Sequence, residues 1–277
     1  MLDPHKLLID VGNTSIKYTR LVMSTETQTN EAIRGESQRV AFGKHSTNIE
    51  TFQVMHADIE ELDDLIAQAS ACFFCSVKND ELSAHIKALC KKAQIPCEQA
   101  TTKASQFGVK NVYSNEQNMG ADRWMAIIAA SHIGNIKGFD NVIVIDAGTA
   151  ITCDFLVGHQ HIGGWIAPGM QLLRDSVVNN TTRVFDDQTL PTTLMAGTDT
   201  PECVAQGALA QTMGFVAQAK QLMSDYCDDF ECIVSGGDAR LIAETGMSGI
   251  QVYPNIVLIG LAILASHNNI IPPLHTR

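Results

Sequence analysis

A chain of 277 residues that is 45% hydrophobic has apolar material for two lobes of about 100–150 residues each. Its formal net charge of -11, with no Lys/Arg-rich stretch, sets it against proteins that grip nucleic acid through the phosphates, which need a basic face. Met1-Leu2-Asp3-Pro4-His5-Lys6 is not a basic region leading into an apolar run, so no secretory signal is expected. The longest apolar run, 256–265, is shorter than the about 20 residues of a bilayer span. A cytoplasmic chain with no membrane and no nucleic-acid partner is the expectation.

Residues 7–12 are a short apolar run ending in Asp10 and Gly12, which predicts a buried strand entering a turn. A returning strand is expected at 16–23, a polar loop at 24–37 and a further strand at 39–42. Apolar spacing through Ile59, Leu62, Leu65 and Ile66 predicts a helix over 58–69. A strand at 72–77, a helix at 81–92, a short strand at 95–97 and a strongly apolar helix at 120–133 follow. The pattern then restarts. Strands are predicted at 141–149, 151–157 and 162–166, helices at 170–178 and 201–223, and a strand at 231–237 ending in a Gly pair. A helix at 239–244, a strand at 250–253 and a helix at 255–266 complete the chain.

Ile9-Asp10-Val11-Gly12-Asn13-Thr14 and Ile145-Asp146-Ala147-Gly148-Thr149 each follow an apolar strand and precede another. Two such copies half a chain apart suggest two similar α/β lobes facing a cleft, divided as 1–137 and 138–277.

The turns carry chemistry. There is no G-x-x-x-x-G-K-[ST] segment and no G-x-G-x-x-G, so P-loop and dinucleotide-binding routes lack support. Glycine lets backbone turn sharply and approach phosphate oxygens, and the exposed N–H groups make an anion-binding concavity. A carboxylate at the end of a buried strand, as at Asp10, has little packing purpose, and Mg²⁺ with its waters would satisfy it. Lys17 could meet a phosphate oxygen or simply reach solvent. Thr149 and Thr152 beside the second turn strengthen the pairing. Asp122, in Gly120-Ala121-Asp122-Arg123, could cap the apolar helix or take the proton of a substrate hydroxyl. Arg123 could hold a carboxylate or phosphate with its two-pronged donors.

The eight cysteines are expected to be reduced core residues. Cys72 and Cys75 form a C-x-x-C, but no second Cys or His pair follows at zinc spacing, so two buried thiols in a strand are expected. His159 and His161 would share one strand face, in a solvated hairpin.

Four ordered segments, Asp10-Val11-Gly12-Asn13-Thr14-Ser15-Ile16-Lys17, Gly120-Ala121-Asp122-Arg123, Asp146-Ala147-Gly148-Thr149-Ala150-Ile151-Thr152 and Gly163-Gly164-Trp165-Ile166-Ala167-Pro168-Gly169, resemble type III pantothenate kinase. The resemblance covers most of the chain. It implies duplicated actin-like (ribonuclease H-like) lobes with mixed sheets and a central cleft. It also implies ATP-dependent phosphorylation of pantothenate to 4'-phosphopantothenate, the first step of coenzyme A biosynthesis, in a homodimer with its active site near the interface.

Carried over by motif, Asp10, Val11, Gly12, Asn13, Thr14, Ser15, Ile16 and Lys17 would hold the ATP phosphates and Mg²⁺, the metal on Asp10 through water. Asp122 would be the proton acceptor. Gly120, Ala121, Asp122 and Arg123 would line the pantothenate site, with Tyr113 as a contributor. Asp146 would bind a monovalent cation, K⁺ or NH₄⁺, and Thr149 the ATP. Thr200 resembles the substrate-contacting threonine that opens a later helix. Ser235-Gly236-Gly237 stands where the family has Thr-Gly-Gly near the adenine, and Ser keeps the hydroxyl. Two alternatives stay open: a superfamily kinase with another small-molecule acceptor, and a nucleotide-binding accessory factor for transcription. Intact Asp10, Asp122 and Asp146 and the acidic balance speak against the second.

Overall fold

The computed structural model describes residues 5–12, 15–21, 38–42, 45–55, 59–76 and 80–267. The contacts divide into two units. One holds the residues up to 103, 117–129 and those from 257 on; the other holds 104–116 and 130–256.

The first unit is built on a six-stranded sheet. Strand β1 (Lys6–Val11) pairs antiparallel with β2 (Ser15–Leu21). Two strands, β3 (Gln38–Phe42) and β4 (His45–Met55), extend that side, with β4 antiparallel to β2. Helix α1 (Ile59–Gln68) leads into β5 (Ala71–Ser76), which lies parallel to β1. Helix α2 (Asp80–Lys92) leads into β6 (Cys97–Gln99), parallel to β5. Leu7, Ile9, Ile16, Cys72 and Phe74 from the sheet pack with Leu62, Ile66, Leu82 and Ile86 from the helices, all nearly inaccessible to water. The helices therefore cover the sheet with the apolar stripe that their 3.6-residue period presents. The strand at 45–55 was not expected from the sequence.

The second unit repeats the plan on a seven-stranded sheet. Short strands β7 (Ser105–Gln106) and β8 (Val109–Lys110) form one edge. Helix α3 (Ala121–Lys137) gives its first half to the first unit and the rest to this one. Strands β9 (Val142–Ala147), β10 (Ala150–Val157) and β11 (Gln160–Pro168) run antiparallel in succession. After α4 (Met170–Asn179) and α5 (Thr200–Ser224), β12 (Glu231–Ser235) returns parallel to β9. Helix α6 (Ala239–Glu244) and β13 (Gln251–Val252), parallel to β12, follow. Helix α7 (Ile256–His267) then belongs almost wholly to the first unit.

Both sheets thus share one pattern. A first strand lies between an antiparallel neighbour, with a further strand beyond it, and a parallel neighbour reached through a helical crossover. The registers coincide: Asp10 stands opposite Lys17 and Cys75, and Asp146 opposite Thr152 and Ser235. The sequence echo is a structural repeat.

Helix α5 shows how local chemistry fixes an element. Asp199 accepts a hydrogen bond from the Glu202 N–H at 3.0 Å, and Glu202 reaches back to the Thr198 N–H at 2.8 Å. These two bonds, with Pro201 in the first turn, satisfy donors that would otherwise lack partners. Helix α7 is apolar throughout, and a Cβ on Gly260 would come 2.9 Å from Met125 Cα, so α3 and α7 touch backbone to backbone. No helix among the described residues is long and apolar enough to cross a membrane.

Candidate active site

In the first unit the site residues gather at the ends of β1 and β5. The Gly12 N–H donates to the Ser15 carbonyl at 3.0 Å and closes the β1–β2 turn. Asn13 and Thr14 lie outside the described residues, as does the polar stretch 24–37. Val11 and Ile16 are buried core residues whose contribution is to hold the turn, whereas Asp10, Ser15 and Lys17 are half-buried. Asp122 sits in the first turn of α3, its Oδ1 accepting the Arg123 N–H at 2.7 Å. The Gly120 carbonyl accepts the Trp124 N–H at 3.1 Å and begins the helix. Gly120, Ala121 and Asp122 are half-buried, while Arg123 is only 7% exposed.

Cys75 links these elements. Its thiol is fully buried, and burial first, then the negative charges of Asp10 and Asp122, push its pKa well above the ordinary thiol value. Asp10 and Asp122, from segments more than a hundred residues apart, therefore act on the same buried atom. The adjacent Ser76, register partner of Val11, has a buried hydroxyl with no hydrogen-bond partner among the described residues. Two carboxylates acting on one point suit a hard divalent cation and its waters, which favour oxygen donors.

The second unit brings Asp146, Gly148 and Thr149 together with Gly169 and Gly236. The Gly148 N–H donates to the Ala150 carbonyl at 3.1 Å, and the Gly169 N–H donates to the Thr149 carbonyl at 3.0 Å. A Cβ on Gly169 would lie 2.7 Å from that carbonyl oxygen, and one on Gly236 would lie 2.6 Å from Asp146 Oδ1. Only glycine fits at either position, and the two backbones frame the second turn. The Asp238 N–H donates to the Ala147 carbonyl at 3.0 Å, and burial raises the Asp238 pKa. Thr149 is exposed. The carboxylate of Asp146 in this oxygen-rich frame suits a hard cation.

Tyr113 stacks on the ring of His161, centroids 6.0 Å apart and planes 26° apart. His161 is fully buried; its Nε2 lies 3.0 Å from Asp154 Oδ1 and its Nδ1 3.4 Å from Asn111 Oδ1. The solvated hairpin expected at 159–161 is thus corrected. Gly158 and His159 form a two-residue turn with positive φ at both positions (54° and 62°), the geometry that tight hairpins use, and His161 points inward. Thr200 opens α5 and lines a cavity of about 480 Å³ with Leu173, Val177, Asp199, Cys203 and Gln211.

Sequence reasoning passed over Cys75, Asp238, and the pair Asp154 and His161. Cys75 looked like one half of a C-x-x-C. On a strand, residues three apart face opposite sides, so Cys72 and Cys75 cannot act together.

A twice-built sheet whose first strand ends each time in Asp-x-Gly is the actin-like fold. The crystal structure of a conserved Campylobacter jejuni protein assigned to the Baf family of transcriptional activators superposes with a TM-score of 0.55 at 18% identity, covering 94% of this chain and 98% of that one. The sequence pattern of type III pantothenate kinase matches residues 6–221. The Pseudoalteromonas atlantica type III pantothenate kinase is 32% identical over 92% of this chain and 95% of its own length. The Pseudomonas aeruginosa type III pantothenate kinase is 30% identical over 93% and 97%. This chain belongs to the type III pantothenate kinase family.

Proposed function

We propose that this chain transfers the γ-phosphoryl group of ATP to the primary hydroxyl of pantothenate, giving 4'-phosphopantothenate and ADP at the entry to coenzyme A biosynthesis. The supporting observation is the convergence of Asp10 and Asp122 on Cys75, in a chain of this family.

Asp122 accepts the hydroxyl proton as the alcohol oxygen bonds to the γ-phosphorus and the bond from that phosphorus to the bridging oxygen of ADP breaks. Positioning and charge stabilisation carry most of such a reaction. The hydrogen bond from the Arg123 N–H fixes the carboxylate's rotamer at the start of α3. Gly120, Ala121 and Arg123 line the pantothenate site, with Tyr113 and Thr200 as further contributors. Tyr113 is held by its stacking on His161 and Thr200 by the α5 cap.

The turn from Asp10 to Lys17 cradles the phosphates with its backbone N–H groups, and Lys17, opposite Asp10 in register, supplies positive charge. Asp10 would hold Mg²⁺ through water, and the ion would supply charge that offsets the phosphates. Thr149 binds ATP by its exposed hydroxyl. Asp146 holds a monovalent cation, K⁺ or NH₄⁺.

A second copy of the chain completes the assembly. Among the described residues, Ile166, Leu172, Phe185, Leu190, Leu194 and Met195 are large apolar side chains 42–65% exposed, which a second copy would cover.

Incubation of the purified chain with ATP, Mg²⁺, K⁺ and pantothenate, followed by mass spectrometry, tests the activity. The expected product is pantothenate plus one phosphoryl group, with stoichiometric ADP. Phosphorylation of a different alcohol while pantothenate stays intact would reassign the acceptor.

A further inference from the structure

Three cysteines in the first unit come together without any part in the site above. Cys72 lies on β5, Cys97 is its register partner on the parallel strand β6, and Cys90 is in the last turn of α2. Their sulfur atoms all lie within 4.8 Å of one another. Chain geometry produces this. The Ile95 N–H donates to the Cys90 carbonyl at 3.0 Å and the Cys72 N–H to the Pro96 carbonyl at 2.9 Å, so the short α2–β6 link brings Cys90 beside the sheet edge. Cys72 and Cys90 are buried, Cys97 half-buried.

We propose that Cys72, Cys90 and Cys97 form a binding site for a soft, thiophilic metal ion of the Cu(I) type, held by three sulfur ligands.

Size is the first support. Metal–sulfur bonds of about 2.3 Å in a trigonal plane put the sulfurs about 4.0 Å apart. The observed spread needs a contraction of under an ångström to reach that, which rotation about χ1 can supply. Ligand type is the second. Thiolates select Cu(I) and Zn(II) over hard ions, and among the described residues no His, Asp or Glu joins the three. Zinc in structural sites takes four protein ligands, so a set of three favours an ion content with three. Loading displaces the thiol protons to solvent.

The test uses the whole chain, reduced and kept free of oxygen. Cu(I) is titrated in competition with a chromophoric Cu(I) chelator, and the loaded protein is examined by X-ray absorption. One equivalent retained against the chelator, with three sulfur neighbours per copper, is the expected result. Cys97→Ser and Cys90→Ser should each weaken retention by at least about 10–100-fold, the range already seen when outer partners of metal ligands are lost. Cys203→Ser, at an exposed thiol, should not change it. If a variant fails to fold, as read by circular dichroism, the sulfur count on the unaltered chain still decides. No retention, a count of two, loss of binding in Cys203→Ser, or exclusive uptake of Zn(II) with an added oxygen ligand would each overturn the assignment.

Discussion

Gly236 and Asp146 lie so close that a methyl group on the glycine would sit 2.6 Å from the aspartate's Oδ1. The glycine has φ of +91°, in the left-handed region where a side chain is strained. Gly236→Ala must therefore twist the backbone after β12 or displace the carboxylate. We expect a stability loss of about 1–3 kcal/mol in a chemical denaturation curve. Kinase activity should fall by more than the folded fraction does, because Asp146 moves with the clash. Full activity in a destabilised but folded variant would separate the close approach from Asp146's proposed role.

Asp122→Asn keeps the shape of the side chain and its hydrogen bond from the Arg123 N–H while removing the basic oxygen. Turnover should fall by about 10²–10⁴-fold, as is usual for a lost general base, with the melting temperature nearly unchanged. The same substitution removes one of the two charges acting on Cys75. The Cys75 pKa should drop toward the ordinary thiol value, visible as a shift in the pH dependence of thiolate ultraviolet absorbance. Unaltered turnover would dismiss Asp122 as the proton acceptor.

Much of this was legible in the sequence because it depends on short-range pattern. Apolar runs ending in Asp-x-Gly marked both hairpins to within a residue or two. Features that depend on distant contacts were not legible. The strand at 45–55 has no apolar run to announce it, and its partner β2 is separated from it by a polar stretch. The neighbourhood of Cys72 could not be read from a C-x-x-C, since its companions come from a later helix and strand through packing. Nor does a linear cut at 137/138 express units in which the last helix packs beside the first strands. Site residues such as Asp238 and His161 are fixed by backbone carbonyls and side chains across the sheet, which spacing along the chain does not reveal.

Stability should decline at high pH in a way traceable to single thiols. Cys232, on β12 between β9 and β13, has its pKa raised from 9.0 to about 12, first by burial, then by Glu231 against an opposing effect of Lys220. The folded chain thus keeps this proton over a range where the unfolded chain has lost it. Its contribution is complete below the unfolded value near 9 and disappears as pH rises toward 12. Each unit of pH in that window costs up to about 1.4 kcal/mol per such thiol. Cys232→Ala should lower stability at pH 7 but flatten the decline between pH 9 and 11, measured by urea unfolding at each pH. An equally steep decline in the variant would place the titration elsewhere.

The exposed apolar surface on β11, α4 and the segment before α5 offers the last test. On α4, Met170 and Arg174 are buried whereas Leu172 and Val177 are more than 40% exposed, so one helix face serves the core and another is apolar toward solvent. Arg174 and Asp186 form a buried ion pair, with Nε donating to Oδ2 at 2.8 Å, which holds the residues after α4 against the helix. Gln206 binds the same segment from α5, its Oε1 accepting the Met195 N–H at 2.9 Å and its Nε2 donating to the Thr193 carbonyl at 3.1 Å. A segment fastened at both places presents Phe185, Leu190 and Met195 without needing to order them on contact, which lowers the entropic cost of association. In a two-fold pair each substitution is felt twice. Leu172→Glu should therefore weaken self-association by roughly 30-fold or more, equivalent to about 2 kcal/mol, in sedimentation equilibrium, with the circular dichroism spectrum unchanged. A chain that sediments as a monomer before any substitution would show that this surface serves some other contact.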